Sequence, residues 1–323
     1  MKVVITDNRF GDIEVERDFL EPRGIEVSVA ACSSSSDVAA ACRDADGVLV
    51  NLAPIDAAAI ESLARCKVIS RYGVGLDNID AAAAARAGIA VKNVPGYCDR
   101  EVAEHALGLL LAIARGIPAR DRSIRAGAWN VVPPGRRVSG STLGILGFGG
   151  TARALARASL SLGFAKILVW SPHADQAKID EVFGPARQGA EAAARGMGSP
   201  VLASGFAELL ASSDWISVHL PLKPETRGMI GAGALASMKR GAGLVNVARG
   251  PLVDEEALAD ALISGRLGGA GLDVFDAEPL PQGSPLRSAP NLVLTDHAAY
   301  ASEESILELR RSCAQNALEE LLR

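Results

Sequence analysis

The sequence predicts an α/β protein of two Rossmann-like, doubly wound parallel-sheet domains. Three observations carry this. Short β-branched runs alternate with Ala- and Leu-rich segments along the whole chain, the pattern of parallel strands joined by helices. The alternation falls into two series separated by a long amphipathic segment. At 323 residues the chain exceeds one compact core of ordinary size and suits two domains.

The first series places strands at 2–6, 25–30, 47–51, 67–70 and 89–93, with helical patterns at 56–65 and 80–87. Gly88 stands where a helix-ending glycine belongs. A long helix is predicted over 100–114, because Val102, Ala106, Leu109, Leu110 and Ile113 recur at three- and four-residue spacing. After Pro118 the chain turns polar, through Pro133, Pro134 and Gly135. The second series gives strands at 142–146, 167–170, 215–219, 243–246, 270–273 and 292–295, and a closing helix at 303–322. The glycine- and proline-rich stretch 185–200 is expected to be a surface insertion.

Composition narrows the function. Hydrophobic residues make up 49% and charged residues 22%, as in globular proteins. The net charge is −5 with no basic run, so no nucleic-acid partner is expected. Cys32, Cys42, Cys66, Cys98 and Cys313 are odd in number and contain no C-x-x-C pair, which excludes a disulfide framework or zinc ribbon and fits a reducing compartment. The longest apolar run, 106–114, is too short to span a bilayer, and an acid at Asp7 interrupts any leader-like start. A cytoplasmic protein without a membrane or metal site is expected. Glu101 and His105 share a helix face, but no further ligands lie nearby, so they are expected to form an ordinary polar face.

The run Gly147-Phe148-Gly149-Gly150-Thr151-Ala152 follows a predicted strand and opens a predicted helix. In that context a G-x-G-x-x-A turn suits a dinucleotide pyrophosphate: the first glycine turns the chain, the second admits the phosphates, and the helix start supplies N–H groups and a positive dipole end. The acid that would bind the ribose 2′-hydroxyl is missing. The next strand ends in Ser171-Pro172-His173, with no arginine following. The choice between NAD and NADP therefore stays open. Ser171 and His173 are candidate phosphate ligands, and Asp175 is a candidate for the ribose.

Arg249, Glu278 and His297 each follow a predicted strand, where open α/β sheets place their ligands. Reduction of a 2-oxo acid needs a hydride at C2, a proton at the carbonyl oxygen and a cation for the carboxylate. Arginine grips a carboxylate with two donors, histidine supplies a proton near neutral pH, and a neighbouring glutamate orients the histidine and favours its charged form.

With these residues in place, the chain resembles the D-isomer-specific 2-hydroxyacid dehydrogenases, closest to the branch of phosphoglycerate dehydrogenases and C-terminal-binding proteins. The resemblance also runs through Ser70-Arg71-Tyr72-Gly73-Val74-Gly75-Leu76-Asp77-Asn78-Ile79-Asp80, Asn93-Val94-Pro95-Gly96 and His219-Leu220-Pro221-Leu222. It implies a discontinuous, flavodoxin-like substrate domain of residues 1–98 and 298–323, with a dinucleotide-binding domain inserted at 99–297. It also implies that Arg249 binds substrate, that His297 is the acid/base and that Glu278 pairs with it. Substrate contacts are expected at Arg71, Tyr72, Gly73, Val74 and Gly75, with Arg71 a candidate for a second anionic group. Coenzyme contacts are expected at the glycine turn (Gly147 to Thr151), Ser171, Pro172, His173, Pro221, Val247, Ala248 and Asp273, the last on the nicotinamide carboxamide. A homodimer formed through about 101–129 is implied. The alternative is an NADH-sensing, corepressor-like binding protein with little turnover. Glu278 stands where the formate dehydrogenase branch carries Gln. Asp296 replaces the usual Pro before His297, and 185–200 has no counterpart.

Overall fold

The computed structural model describes residues 1–184 and 201–323. The expected insertion at 185–200 lies outside the described residues. The chain forms two compact units, one of Met1–Tyr97 with Ala301–Arg323 and one of Cys98–Tyr300.

The first unit carries β1 (Lys2–Ile5), α1 (Glu14–Leu20), β2 (Glu26–Val29), α2 (Ser35–Ala41), β3 (Gly47–Val50), α3 (Ala57–Ser62), β4 (Val68–Arg71), α4 (Ala81–Arg86) and β5 (Ala90–Lys92). Its sheet is parallel, in the order β2-β1-β3-β4-β5. The helix starts are written locally. Asp56 and Asp80 accept the N–H groups of Ala59 and Ala83, and Ser34 with Asp37 forms a capping box. Gly88 follows α4 in the left-handed region, as its position predicts. One apolar layer includes Val4, Val38, Val48, Val50, Ile55, Ile60 and Ile69. The C-terminal helix Glu303–Leu321 packs on β3, β4 and β5 and buries Leu309, Cys313, Ala314, Ala317, Leu318 and Leu321.

An ion pair joins the two ends of the chain inside this unit. Arg310 donates from Nε and Nη2 to Glu16 at 3.0 and 2.7 Å, and from Nη2 to Asp12 at 2.8 Å. Glu16 is 1% exposed and also accepts the Tyr72 hydroxyl at 3.1 Å. Both carboxylate oxygens are thus satisfied, which a buried charge requires.

The second unit carries α5 (Asp99–Arg115), α6 (Ile117–Arg125), β6 (Thr142–Leu146), α7 (Gly150–Ser159), β7 (Lys166–Trp170), α8 (Gln176–Phe183), β8 (Val201–Ala203), α9 (Phe206–Ser212), β9 (Trp215–Val218), α10 (Ala232–Ser237), β10 (Gly243–Asn246), α11 (Glu255–Ile263), β11 (Gly269–Leu272) and β12 (Leu292–Leu294). Seven parallel strands run in the order β12-β11-β10-β9-β6-β7-β8. The apolar face of α5 packs on β10 and β11, as its periodicity requires. Two elements differ from the expectation. The segment after Gly116 is helical, because Pro118 sits in the first turn of α6, where a missing N–H costs nothing. The three-residue β8 was not foreseen. Among the described residues no single helix is long and apolar enough to cross a membrane.

Replacing Arg310 by Ala would leave the Glu16 charge buried without its partner. Urea unfolding should show a loss of about 3–5 kcal/mol. A loss below about 1 kcal/mol would show that the pair does not hold the chain ends together.

Candidate functional site

From β6 the chain moves outward to β7 and β8, then returns to β9 on the other side of β6. This reversal makes the C-terminal ends of β6 and β9 the switch point of the sheet, where such sheets bind ligands. The glycine turn lies at that point. Gly147 has φ +119°, and its N–H donates to the Trp170 carbonyl at 2.8 Å. A Cβ there would lie 2.4 Å from the His219 carbonyl oxygen, so only glycine fits. Gly149 caps α7 without a side chain, and nothing lies within 4 Å of where its Cβ would be. The N-cap of α7 thus leaves open space at Gly149 with no side-chain cap, which fits an anionic pyrophosphate.

Around the turn, the Phe148 ring lies 6.3 Å from that of Phe183, and the Arg153 guanidinium lies 5.9 Å from the Phe148 ring centre. Thr151 is half-buried in the first turn of α7. Asp99 was not singled out from the sequence, yet its carboxylate packs against Gly150. Burial pushes the Asp99 carboxyl up, Arg153 opposes this, and Glu101 adds to it. His219 is buried beside the turn, with Nε2 2.8 Å from Ser217 Oγ. Burial lowers its pKa to about 4, so the ring is neutral at neutral pH.

At the end of β7, Ser171 Oγ accepts the His173 N–H at 3.3 Å, and Pro172 and His173 are exposed. Asp175 is the N-cap of α8 and accepts the Lys178 N–H at 3.0 Å. Its Oδ1 thus serves the start of the helix. Pro221 is exposed, and its carbonyl accepts the Thr226 hydroxyl at 2.8 Å. Val247 is buried, and Ala248 N–H donates to Asn246 Oδ1 at 3.1 Å.

That asparagine shapes the turn after β10. Its Nδ2 donates to the Arg249 carbonyl at 2.8 Å, and Arg249 Nη1 donates to the Ala248 carbonyl at 2.7 Å. The next residue, Gly250, lets two backbones meet: a Cβ there would lie 1.9 Å from the Phe275 carbonyl carbon. Glu278 rises from that neighbouring segment, with Oε1 accepting the Phe275 N–H at 3.0 Å. Its Oε2 lies 2.7 Å from His297 Nδ1. Burial pushes the Glu278 carboxyl up. The hydrogen bonds from His297 and Phe275, with the charges of His297 and Arg249, outweigh burial and hold it below the usual range. Glu278 is therefore ionised at neutral pH, and Nε2 is left as the outer nitrogen of the imidazole.

His297 is held by a buried acid. Asp273, 1% exposed, accepts the Thr295 hydroxyl and the Ala298 N–H on Oδ1 at 2.6 and 2.9 Å, and the Ala299 N–H on Oδ2 at 2.9 Å. Its carbonyl accepts the His297 N–H at 2.8 Å. His105 on α5 lies 2.9 Å from Thr295 Oγ1, so this histidine supports the same loop rather than an ordinary polar face. The bonds hold His297 at φ +58°, a left-handed conformation that side chains adopt at a cost of about 1 kcal/mol. Asp296 is exposed.

In the first unit, the loop after β4 is fixed at both ends. Tyr72 N–H donates to the Val50 carbonyl at 2.8 Å, and the Gly73 carbonyl accepts the Val94 N–H at 2.9 Å. Asn93 Nδ2 donates to the Val74 carbonyl at 2.7 Å. The Arg71 guanidinium lies over Gly73, filling the place of a Cβ. Val74 is 46% exposed, and Gly75 is half-buried. The Tyr72 side chain is 2% exposed and donates its hydroxyl to Glu16, so it is the backbone at this position that the loop presents.

The chain is similar to known proteins over most of its length. Residues 107–299 match the family described as D-isomer specific 2-hydroxyacid dehydrogenase, NAD binding domain. A glyoxylate reductase of Korarchaeum cryptofilum is 37% identical over 282 residues, covering 85% of this chain and 80% of its own length. A D-3-phosphoglycerate dehydrogenase of Archaeoglobus fulgidus is 34% identical over 301 residues, covering 93% of this chain but 54% of its own. The chain thus spans about half the length of that relative. The crystal structure of a glyoxylate reductase from Paecilomyes thermophila superposes with a TM-score of 0.84 at 28% identity, over 99% of this chain and 95% of that one. The chain belongs to the D-isomer-specific 2-hydroxyacid dehydrogenase family and carries its NAD-binding domain.

The buried His219 gives the unit a pH-dependent stability. Its folded pKa lies below its ordinary value of 6.5, so as pH falls the unfolded chain takes up the proton first, and stability is lost between about 6.5 and 4. Between pH 7 and 5 the wild type should lose about 2 kcal/mol more than His219→Gln in urea unfolding. Parallel losses in the two proteins would contradict this account of His219.

Proposed function

We propose that the protein is an NAD(P)-dependent oxidoreductase that exchanges a hydride with C2 of a small 2-oxo/2-hydroxy acid, D-specific by its family. The observation that carries the reading is the 2.7 Å His297–Glu278 pair, on the same sheet edge as the glycine turn and the Arg249 turn. Reduced nicotinamide supplies the hydride. The residues fitted to hold the coenzyme are the α7 N-terminus with Gly147, Phe148, Gly149, Gly150 and Thr151, then Ser171, Pro172, His173, Pro221, Val247 and Ala248. Asp273, whose Oδ2 accepts the Ala299 N–H, would hold the carboxamide N–H.

Arg249 binds the substrate carboxylate or carbonyl oxygen, and its fork geometry fixes the face of C2 that is presented. His297 Nε2 gives its proton to the carbonyl oxygen as C2 accepts the hydride, so the products are a 2-hydroxy acid and oxidised coenzyme. Glu278 stays ionised, fixes the imidazole through Nδ1 and balances its charge. The loop of Arg71, Gly73, Val74 and Gly75 is assigned to the substrate, with Arg71 favouring acids that carry a second anionic group. The dehydrogenase and reductase names of the relatives support turnover over NADH sensing. The five free, buried cysteines support a cytoplasmic setting. Exposed Ile117, Ile124, Trp129 and Val131, clustered in one stretch of chain, support a homodimer, which sedimentation should report as twice the 33.4 kDa chain mass.

His297→Gln keeps a polar side chain of similar size but removes the acid. Turnover should fall at least about 10³-fold while NADH binding measured by fluorescence stays within about threefold. Turnover like that of the wild type would remove His297 from its role.

A further inference from the structure

We propose that the coenzyme pocket takes the 2′-phosphorylated dinucleotide, NADP(H), at least as tightly as NAD(H). The inference rests on the placement of coenzyme at the glycine turn and deepens that reading by assigning the ribose end of the pocket.

The Gly147 N–H to Trp170 carbonyl bond locks the end of β7 beside the turn. With the pyrophosphate on the α7 N-terminus, the residue that follows β7 faces the adenosine ribose. A carboxylate at that point accepts the 2′-hydroxyl and repels a 2′-phosphate of nearly two negative charges. Here the residue is Ser171. Its Oγ accepts the His173 N–H, which leaves its own proton to donate to a phosphate oxygen.

The surrounding charges favour the same ligand. The Lys178 ammonium donates to the His173 carbonyl at 2.7 Å, which holds a cation against the 171–173 segment. His173 is exposed on that segment. Arg153 and Arg157, both on α7, place their guanidinium groups 5.9 and 5.4 Å from the Phe148 and Phe183 ring centres. The acid nearest in sequence, Asp175, is occupied in capping α8 through the Lys178 N–H. Among the described residues, the position after β7 therefore carries no carboxylate to reject the 2′-phosphate, and its surroundings keep donors that would bind it.

The test is calorimetric titration of the whole protein with NADH and NADPH, and with adenosine 2′,5′-bisphosphate against adenosine 5′-monophosphate, without substrate. The wild type should bind NADPH no more weakly than NADH, and the bisphosphate more tightly than the monophosphate. Ser171→Asp should raise the ratio of the NADPH to the NADH dissociation constant about thirtyfold or more. Lys178→Met, on an exposed helix position, should raise it about tenfold. NADPH binding tenfold weaker than NADH in the wild type would overturn the proposal while leaving the dehydrogenase reading intact. An unchanged ratio in both variants would overturn it too. Failure of both coenzymes to bind would overturn the proposal and the dehydrogenase reading together.

Discussion

The carboxylate of Asp273 is the constraint on which the reactive geometry depends. It is buried at the end of β11 and accepts three hydrogen bonds from residues 295–299. Those bonds offset the cost of desolvating a charge and hold His297 in a left-handed backbone conformation it would not otherwise keep. With the loop fixed, Nδ1 of His297 meets Glu278, and the outer nitrogen is left for proton transfer. His105 adds a support from α5 through Thr295.

Close backbone approach does comparable work at the other two turns. Gly147 lets the β6 turn come against the His219 carbonyl, and Gly250 lets the Arg249 turn come against Phe275. Each glycine brings a loop bearing functional groups nearer to its neighbour than a side chain would allow. The parallel sheet sets the direction of these turns, since all seven strands of the second unit end on one edge. In the first unit the same economy ties Tyr72 to Glu16 and Arg310, so the loop of residues 71–75 is anchored to both ends of the chain.

Much of this was legible in sequence. The strands of both series fall within a residue or two of their expected bounds, because buried parallel strands are short β-branched runs flanked by turn residues. The glycine turn and the strand-end positions of Arg249, Glu278 and His297 were visible for the same reason. What stayed hidden depends on contacts between distant residues. No local pattern marks Asp273 as the holder of the 295–299 loop, His105 as its support, or Asp99 as the acid packed on Gly150. Tyr72 reads as a pocket residue by resemblance, and only the burial of Glu16 and Arg310 beside it shows why it turns inward. Helix α6 was hidden because a proline near a helix start looks like a helix end.

The most direct measurement follows absorbance of the reduced nicotinamide as purified protein meets a panel of 2-oxo acids, with chiral analysis of the product. The account predicts oxidation of coenzyme with at least one acid and formation of its D-2-hydroxy acid. Coenzyme that binds but is not oxidised by any acid of the panel, or an L-product, would contradict it.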